Sequence, residues 1–302
     1  MSTTPMTIDD LKHILIVGAG TMGLRIGLQA AISGYEVTLY DINKEVFPGS
    51  QKMQQKIMRG LVKRGKVAPE DTESIYGRMR WTDDLEAACK DVDLVNESVI
   101  ENIDIKKKVW KQLGELCPPH TVFTTNTSYM KSSAMAEDTG RPELFCAYHF
   151  HDVFLANVVD VMPHPGTASW IIPLLMDLGH KLQQTPIHIQ KENHGYIFNA
   201  MLLQIIGSAG NLVTSGVATP QDVDRSWMGN FKMDIGPFGM LDAVGLETAW
   251  HITSGLKNEK SQRFADLLRG YIDAGKLGIK TGEGFYKYPN PEFKEEGFVE
   301  QV

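Results

Sequence analysis

Three glycines and an aspartate near the start of the chain have the types and spacing needed to bind a dinucleotide. Gly18 permits a tight turn, Gly20 lets backbone N–H groups approach a pyrophosphate, and Gly23 lets the following helix pack closely on a strand. Asp41 ends the next strand-like run, where its carboxylate can accept hydrogen bonds from both hydroxyls of an adenosine ribose. The pattern predicts dinucleotide binding. The charge of Asp41 favours NAD over NADP, whose ribose phosphate it would repel.

A second group of polar residues has the types needed for hydride transfer between a hydroxyl and a carbonyl. That reaction needs a base, usually histidine near neutral pH, an acid to orient it, and hydrogen-bond donors for the reacting oxygen. His149 and Asp160 offer the base and the acid, and Ser128 and Asn199 offer the oxygen contacts. If Asp160 contacts His149, it should raise the pKa of the imidazole. Sequence alone leaves open whether these side chains meet, since His149 could equally be a core histidine.

The elements that must position these groups alternate between strands and helices as far as about residue 190. A doubly wound, mostly parallel sheet with right-handed crossovers is the expected arrangement, and ligands bind beyond the carboxyl ends of its strands. We therefore predict a Rossmann-type α/β domain over residues 1–190. The strand-like runs are 13–17, 37–41, 92–97, 121–125, 144–149, 158–162 and 186–189, and the helical segments are 18–34, 44–66 and 104–116.

The remainder of the chain has helical patterns without strand alternation. Helices are predicted at 196–215, from 219 onwards, at 241–255 and at 261–274. We therefore predict a smaller all-helical domain over residues 191–302 for substrate binding and dimerisation. The helix at 197–212 carries more apolar surface than a small domain can bury alone, which favours a homodimer.

Composition narrows the partners. The 302 residues are 42% hydrophobic with a net charge of −7, so no basic surplus suggests nucleic acid or an anionic membrane. The three cysteines form no CxxC pair, which is typical of reduced intracellular thiols. No apolar run could span a bilayer, and the first ten residues lack a signal core. These features predict a soluble cytoplasmic protein that acts on a small molecule.

His151 raises the question of a metal. Residues two apart share a face of an extended segment, so His149 and His151 could point together and, with Asp152 or Asp160, hold an ion. No third histidine follows at a metal-like spacing, and the dinucleotide pattern already supplies the chemistry. We therefore expect no metal ion.

Seven motifs in order carry a resemblance to a known family. They lie at 18–23 with Tyr40 and Asp41, 97–102, 126–128, 149–150, 195–199, 236–242 and 280–288. On these motifs the chain resembles the 3-hydroxyacyl-CoA dehydrogenase family over nearly its whole length. It is most similar to the short bacterial members, some of which reduce diketo esters, and is related to the gulonate 3-dehydrogenase or lambda-crystallin branch.

The resemblance implies an NAD domain followed by an all-helical domain that forms the dimer. It implies that His149 is the base and Asp160 its partner, and that Ser128 and Asn199 bind the substrate oxygens. Glu101 and Lys106 would lie on the nicotinamide side. The residues expected at the cofactor are Gly18, Gly20, Thr21, Met22, Gly23, Asp41, Glu101, Lys106, Asn126 and Ser128.

The chain departs from the family at three positions. The family usually has Glu twelve residues after the histidine, whereas Asp160 comes eleven after His149. The family asparagine three residues after the histidine is replaced by Asp152 or is lost in the shortened loop. Ile57 stands where mammalian members have a serine that contacts CoA. The basic residues of the same segment could contact CoA phosphates or form a solvated helix face. They are Lys52, Lys56, Arg59, Lys63, Arg64 and Lys66.

These observations predict an NAD-dependent oxidoreductase of fatty acid metabolism that interconverts a 3-hydroxyacyl-CoA and the 3-oxoacyl-CoA. Two alternatives stay open. The same chemistry could act on a free 3-hydroxy acid or a diketo ester, or the chain could be a non-catalytic NAD-binding structural protein.

Overall fold

The structure, a computed structural model, describes residues 5–300 and divides into two compact units. The first unit ends at Ile197 and the second begins at Phe198. Among the described residues, no helix is long and apolar enough to cross a membrane.

The first unit is built on one eight-stranded sheet. The strands are β1 His13–Val17, β2 Glu36–Tyr40, β3 Met79–Thr82, β4 Leu94–Glu97, β5 Val122–Thr125, β6 Phe145–Phe150, β7 Val158–Pro163 and β8 Thr185–His188. Their order in the sheet is β3-β2-β1-β4-β5-β6-β7-β8, and every neighbouring pair is parallel except β6 and β7. This confirms the predicted Rossmann-type, mostly parallel sheet.

Helices connect these strands. The long ones are α1, which follows β1 directly, and α2, which begins later than expected because a capped turn over Asn43 to Val46 precedes it. The helices are α1 Thr21–Ile32, α2 Phe47–Lys63, α3 Thr72–Gly77, α4 Leu85–Ala88, α5 Ile103–Leu116 and α6 Ile171–Lys181.

The core of this unit lies on both faces of the sheet. Along β1, Ile14 and Ile16 belong to one buried cluster, and Leu15 and Val17 belong to another. Successive side chains of a strand point to opposite faces, so a strand that is apolar at every position must be covered on both sides. The carboxyl ends of β1, β4 and β5 are left to carry the polar groups.

The second unit contains helices packed around their own core. Helix α8 begins with a capping box in which Thr219 and Asp222 satisfy each other's backbone groups. The single helix predicted at 241–255 is wrong, because Gly245 adopts φ +96° and separates two helices. The helices are α7 Phe198–Thr214, α8 Pro220–Phe231, α9 Pro237–Val244, α10 Leu246–Ser254 and α11 Glu259–Asp273.

Candidate active site

The glycine turn after β1 has the shape that a pyrophosphate requires. Gly18 has φ +99°, and a Cβ there would lie 2.7 Å from the carbonyl oxygen of Ser98. A Cβ on Gly23 would lie 1.8 Å from the carbonyl oxygen of Gly18, so helix and turn touch through backbone. At Gly20 a Cβ would meet no described atom within 4 Å, and no described side chain caps the N-terminus of α1. Open space in front of uncapped helix N–H groups is what a bound anion needs.

Asp41 lies beside this turn at the carboxyl end of β2. One carboxylate oxygen accepts the N–H of Ala19 at 2.9 Å, and the other accepts the N–H of Asn43 at 2.9 Å. These bonds fix the carboxylate while its remaining lone pairs can accept the hydroxyls of a ribose. The turn and Asp41 together therefore fit NAD.

A buried ion network follows the carboxyl end of β4. Lys106 Nζ lies 2.5 Å from Glu97 and 3.5 Å from Glu101, and the Lys106 side chain is only 1% exposed. Glu97 also accepts the hydroxyl of Thr125 at 2.7 Å, so the buried charges are fully paired. Glu101, which is partly exposed, is thereby held at the rim of the sheet.

Glu101 organises the loop that follows β5. Its carboxylate accepts the hydroxyl of Thr127 and, at 3.1 Å, the backbone N–H of Ser128. Ser128 is exposed at this rim. Asn126 accepts the N–H of Phe150 at 2.8 Å, which ties the end of β5 to the end of β6. The structure therefore gathers the residues predicted at 101, 106, 126 and 128 along one edge.

His149 and Asp160 meet across the antiparallel pair β6 and β7. They occupy directly opposed positions in the register, and His149 Nδ1 lies 3.2 Å from Asp160 Oδ2. Both side chains are nearly buried, and the ring of Tyr196 packs against the imidazole at a centroid distance of 4.8 Å. A carboxylate can only accept, so the proton belongs on Nδ1 and the Nε2 of neutral His149 carries a lone pair.

His151 joins the same carboxylate. Its Nε2 lies 2.8 Å from Asp160 Oδ2, and its ring centroid lies 4.5 Å from that of His149. The donor atoms of the three residues lie within 4.8 Å of one another, a spacing that also suits a metal ion. The two N···O distances are those of hydrogen bonds, so we interpret the cluster as two imidazoles that share one carboxylate.

Asp152 has other partners. It forms an ion pair with Arg25 of α1 and accepts the N–H groups of Phe154 and Leu155, both at 3.0 Å. It therefore shapes the loop between β6 and β7 and is not the carboxylate bonded to His149.

Burial and hydrogen bonds shift the pKa values of His149 and Asp160. Burial lowers the pKa of His149 below its ordinary value, because the raising effect of the Asp160 hydrogen bond is smaller and His151 opposes it. The net direction is opposite to the one expected from Asp160 alone. Burial would raise the pKa of Asp160, but the hydrogen bonds from His149 and His151 outweigh it and hold that pKa below its usual value.

Asn199 and Ile57, two further predicted residues, lie on helices. Asn199 is on the first turn of α7, in the second unit, and is half-exposed there. Ile57 is partly buried against the core of the first unit. The basic residues of helix α2, and those that directly follow it, are exposed.

Comparison with known proteins decides the family. The model for "3-hydroxyacyl-CoA dehydrogenase, NAD binding domain" matches residues 13–193, and the model for the C-terminal domain of the same family matches residues 195–288. The chain belongs to the 3-hydroxyacyl-CoA dehydrogenase family. The predicted family and the NAD-binding domain are thereby confirmed.

Similar sequences and structures cover nearly the whole chain. A probable 3-hydroxybutyryl-CoA dehydrogenase of Bacillus subtilis is 33% identical over 92% of this chain and 98% of its own length. A solved diketoreductase is 35% identical, with a TM-score of 0.85 over 92% of this chain and 99% of that chain. The (S)-3-hydroxybutyryl-CoA dehydrogenase PaaH1 of Ralstonia eutropha is 28% identical, with a TM-score of 0.83 over 93% of this chain and 100% of that chain.

Proposed function

We propose that this protein is an NAD-dependent dehydrogenase that interconverts a 3-hydroxyacyl-CoA and the corresponding 3-oxoacyl-CoA. The observation that carries the proposal is the His149–Asp160 pair, placed on the same sheet as a glycine turn and Asp41 that fit NAD. Relatives named as 3-hydroxybutyryl-CoA dehydrogenases over nearly the whole chain support this substrate class.

His149 acts as the base in oxidation. While its Nδ1–H donates a hydrogen bond to Asp160, the imidazole accepts the proton of the substrate hydroxyl at Nε2. Asp160 stabilises the imidazolium that forms, and the lowered pKa of His149 keeps the ring neutral beforehand. In reduction the protonated imidazole returns the proton to the carbonyl oxygen. NAD, when bound, would accept the hydride from the substrate in oxidation, and NADH would return it in reduction.

Ser128 and Asn199 hold the substrate oxygens in this proposal, as the family resemblance implies. Ser128 is suited to this because Glu101 fixes its backbone at the rim of the sheet. On the cofactor side, α1 begins with Thr21 and Met22 directly after the glycine turn. Glu101, held by the buried Lys106, lies at the nicotinamide end in this proposal.

The test is oxidation of NADH by acetoacetyl-CoA, followed at 340 nm in the purified protein. We expect turnover that falls by roughly 10²–10⁴-fold in His149→Gln with NADH binding nearly unchanged. NADH binding without turnover on any 3-oxo substrate would instead indicate the non-catalytic, structural role.

A second candidate is the same reaction on a free 3-oxo acid or a diketo ester. It is favoured by the similarity to a diketoreductase and by Ile57, which lies where mammalian members contact CoA. The comparison of kcat/KM for acetoacetyl-CoA, acetoacetate and a diketo ester separates the candidates. The exposed basic residues of α2 support CoA, because they can contact its phosphates.

We further propose a cytoplasmic homodimer of fatty acid metabolism. The three cysteines are free and buried, as in a reducing compartment. Of the 17 residues of the apolar helix α7, only Ile206, Ala209 and Gly210 are buried, and Met201 is 56% exposed. Sedimentation velocity at micromolar concentration should give a dimer that Met201→Glu weakens. A monomeric unmodified protein would contradict this.

A further inference from the structure

His151 is a titratable group that the proposed mechanism leaves without a role. Its side chain is only 12% exposed, and it lies against the reacting histidine and not in solvent. It continues β6 by pairing its backbone N–H with the carbonyl of Val158 at 3.2 Å. Residues two apart on a strand share a face, so the backbone itself places His149 and His151 on the same side as Asp160.

The two histidines compete for one oxygen. His149 Nδ1 and His151 Nε2 approach the same atom, Asp160 Oδ2, at 3.2 Å and 2.8 Å. The shorter bond is the one to His151. An oxygen that already accepts a close second donor stabilises the imidazolium of His149 less than an unshared carboxylate would.

We propose that His151 is a positioning residue that holds Asp160 and weakens its support of protonated His149, so that His149 remains a free base at neutral pH. This inference rests on the proposed function. It assigns to His151 part of the balance between neutral His149, which oxidation needs, and protonated His149, which reduction needs. Through its hold on the shared oxygen, His151 shifts that balance towards the neutral form.

The surroundings of His149 contain few other groups that could set this balance. Asp160 faces it from β7, His151 from the end of β6, Glu101 from the loop before α5, and Tyr196 from the segment after β8. Asp160 and Glu101 raise the pKa of His149, whereas burial and His151 lower it. His151 is therefore the one titratable neighbour among these four that acts with burial.

Two substitutions separate the hydrogen bond from mere packing. His151→Leu fills the space but donates nothing, so the full charge of Asp160 acts on His149. His151→Gln can still donate an N–H to Asp160 but cannot be protonated. His188→Gln is the matched control, because His188 is an exposed histidine on the neighbouring strand β8.

The readout is the pH profile of kcat/KM in both directions, in buffer with EDTA. In His151→Leu we expect the kinetic pKa of His149 to rise by about 0.5–1 unit, which extends reduction to higher pH and lowers kcat/KM for oxidation by roughly 3- to 10-fold on the acidic side of that pKa. His151→Gln should stay near the unmodified profile, and His188→Gln should match it. A uniform loss of kcat without a shift of the profile would show a structural role only and overturn the proposal.

A measurement without turnover keeps the inference separate from the proposed function. Titration of the ¹⁵N-labelled imidazoles by NMR reports the pKa of His149 directly in the unmodified protein and in each variant. The same upward shift in His151→Leu is expected even if no acyl substrate is turned over. An unchanged pKa of His149 in His151→Leu would refute the inference, whereas absence of turnover with every 3-oxo substrate would refute only the proposed function.

Discussion

Replacing Asp160 with asparagine tests the central pair of the site, because it removes one negative charge and little else. The amide oxygen of Asp160→Asn can still accept hydrogen bonds from His149 and His151, so the geometry of the cluster is retained. What is lost is the charge that stabilises the imidazolium formed as the substrate hydroxyl gives up its proton. That interaction is stronger in the transition state than in the ground state, so its loss should appear in kcat.

The geometry sets the size of the effect. A hydrogen bond to a charged group contributes about 1.5–3 kcal/mol and one between neutral groups about 0.5–1.5 kcal/mol, so the charge of Asp160 accounts for the difference of about 1–1.5 kcal/mol. His149 Nδ1 lies 3.2 Å from an oxygen that His151 also uses, so the lower value applies. We therefore expect kcat for oxidation to fall by about 5-fold. KM for NADH should change little, because the glycine turn and Asp41 are untouched.

The pH dependence gives the second readout. Without Asp160, burial and His151 act on His149 with only Glu101 to oppose them, so the pKa of His149 falls further below its ordinary value. Reduction needs the protonated imidazole, and its profile should therefore shift to lower pH. Asp152→Asn is the matched control, since Asp152 contacts Arg25 and the loop backbone. Unchanged kcat and profile in Asp160→Asn, or the same shift in Asp152→Asn, would refute the pairing.

Two further predictions concern the cofactor and the second unit. NADH should be preferred over NADPH as judged by kcat/KM. Asp41→Ala should reduce the ratio of the two kcat/KM values by about tenfold or more, mainly because KM for NADH rises. Equal use of both cofactors by the unmodified protein would contradict this. Burial raises the pKa of Asp224 to about 6 from 3.8, so the folded protein holds this proton more tightly than the unfolded chain does. The free energy of unfolding that this proton contributes is present at low pH and is lost as pH rises from about 4 to about 6. The cost of Asp224→Asn in free energy of unfolding should therefore shrink by about 2 kcal/mol between pH 4 and 7, and equal costs in urea unfolding at both pH values would refute it.

The sequence predicts the buried central strands of the sheet well and does not predict its partly exposed edge strand β3. Strands β1, β4 and β5 are almost fully buried, and the sequence predicts each of them to within two residues at either end. Strand β3 was not predicted, because Met79–Thr82 is a short edge strand with partly exposed side chains and no clear alternation. Edge strands take their structure from a neighbour, here β2, and a local pattern does not contain that neighbour.

The candidate site shows the same division. The glycine turn and Asp41 are close in sequence, so their spacing predicted their geometry. The Glu97–Lys106–Glu101 network joins residues of β4, a loop and α5, and its burial could not be foreseen from three ordinary charged residues. The i, i+2 spacing of His149 and His151 was the available signal for a shared face. That spacing does not show that both rings point at one carboxylate oxygen, which only the structure shows.

The spacing of His149 and Asp160, which departs from the family by one residue, follows from the register of β6 and β7. In this register His149 lies opposite Asp160, whereas Val161 lies opposite Tyr148. Side chains of opposed residues share a face, and the next residue along a strand points to the other face. An acid twelve residues after His149 would therefore stand at position 161, in the buried apolar cluster that also contains Tyr148. With this loop length, position 160 is the one directly opposite His149. The directly opposed position brings the backbones close, so the shorter aspartate spans the distance that remains.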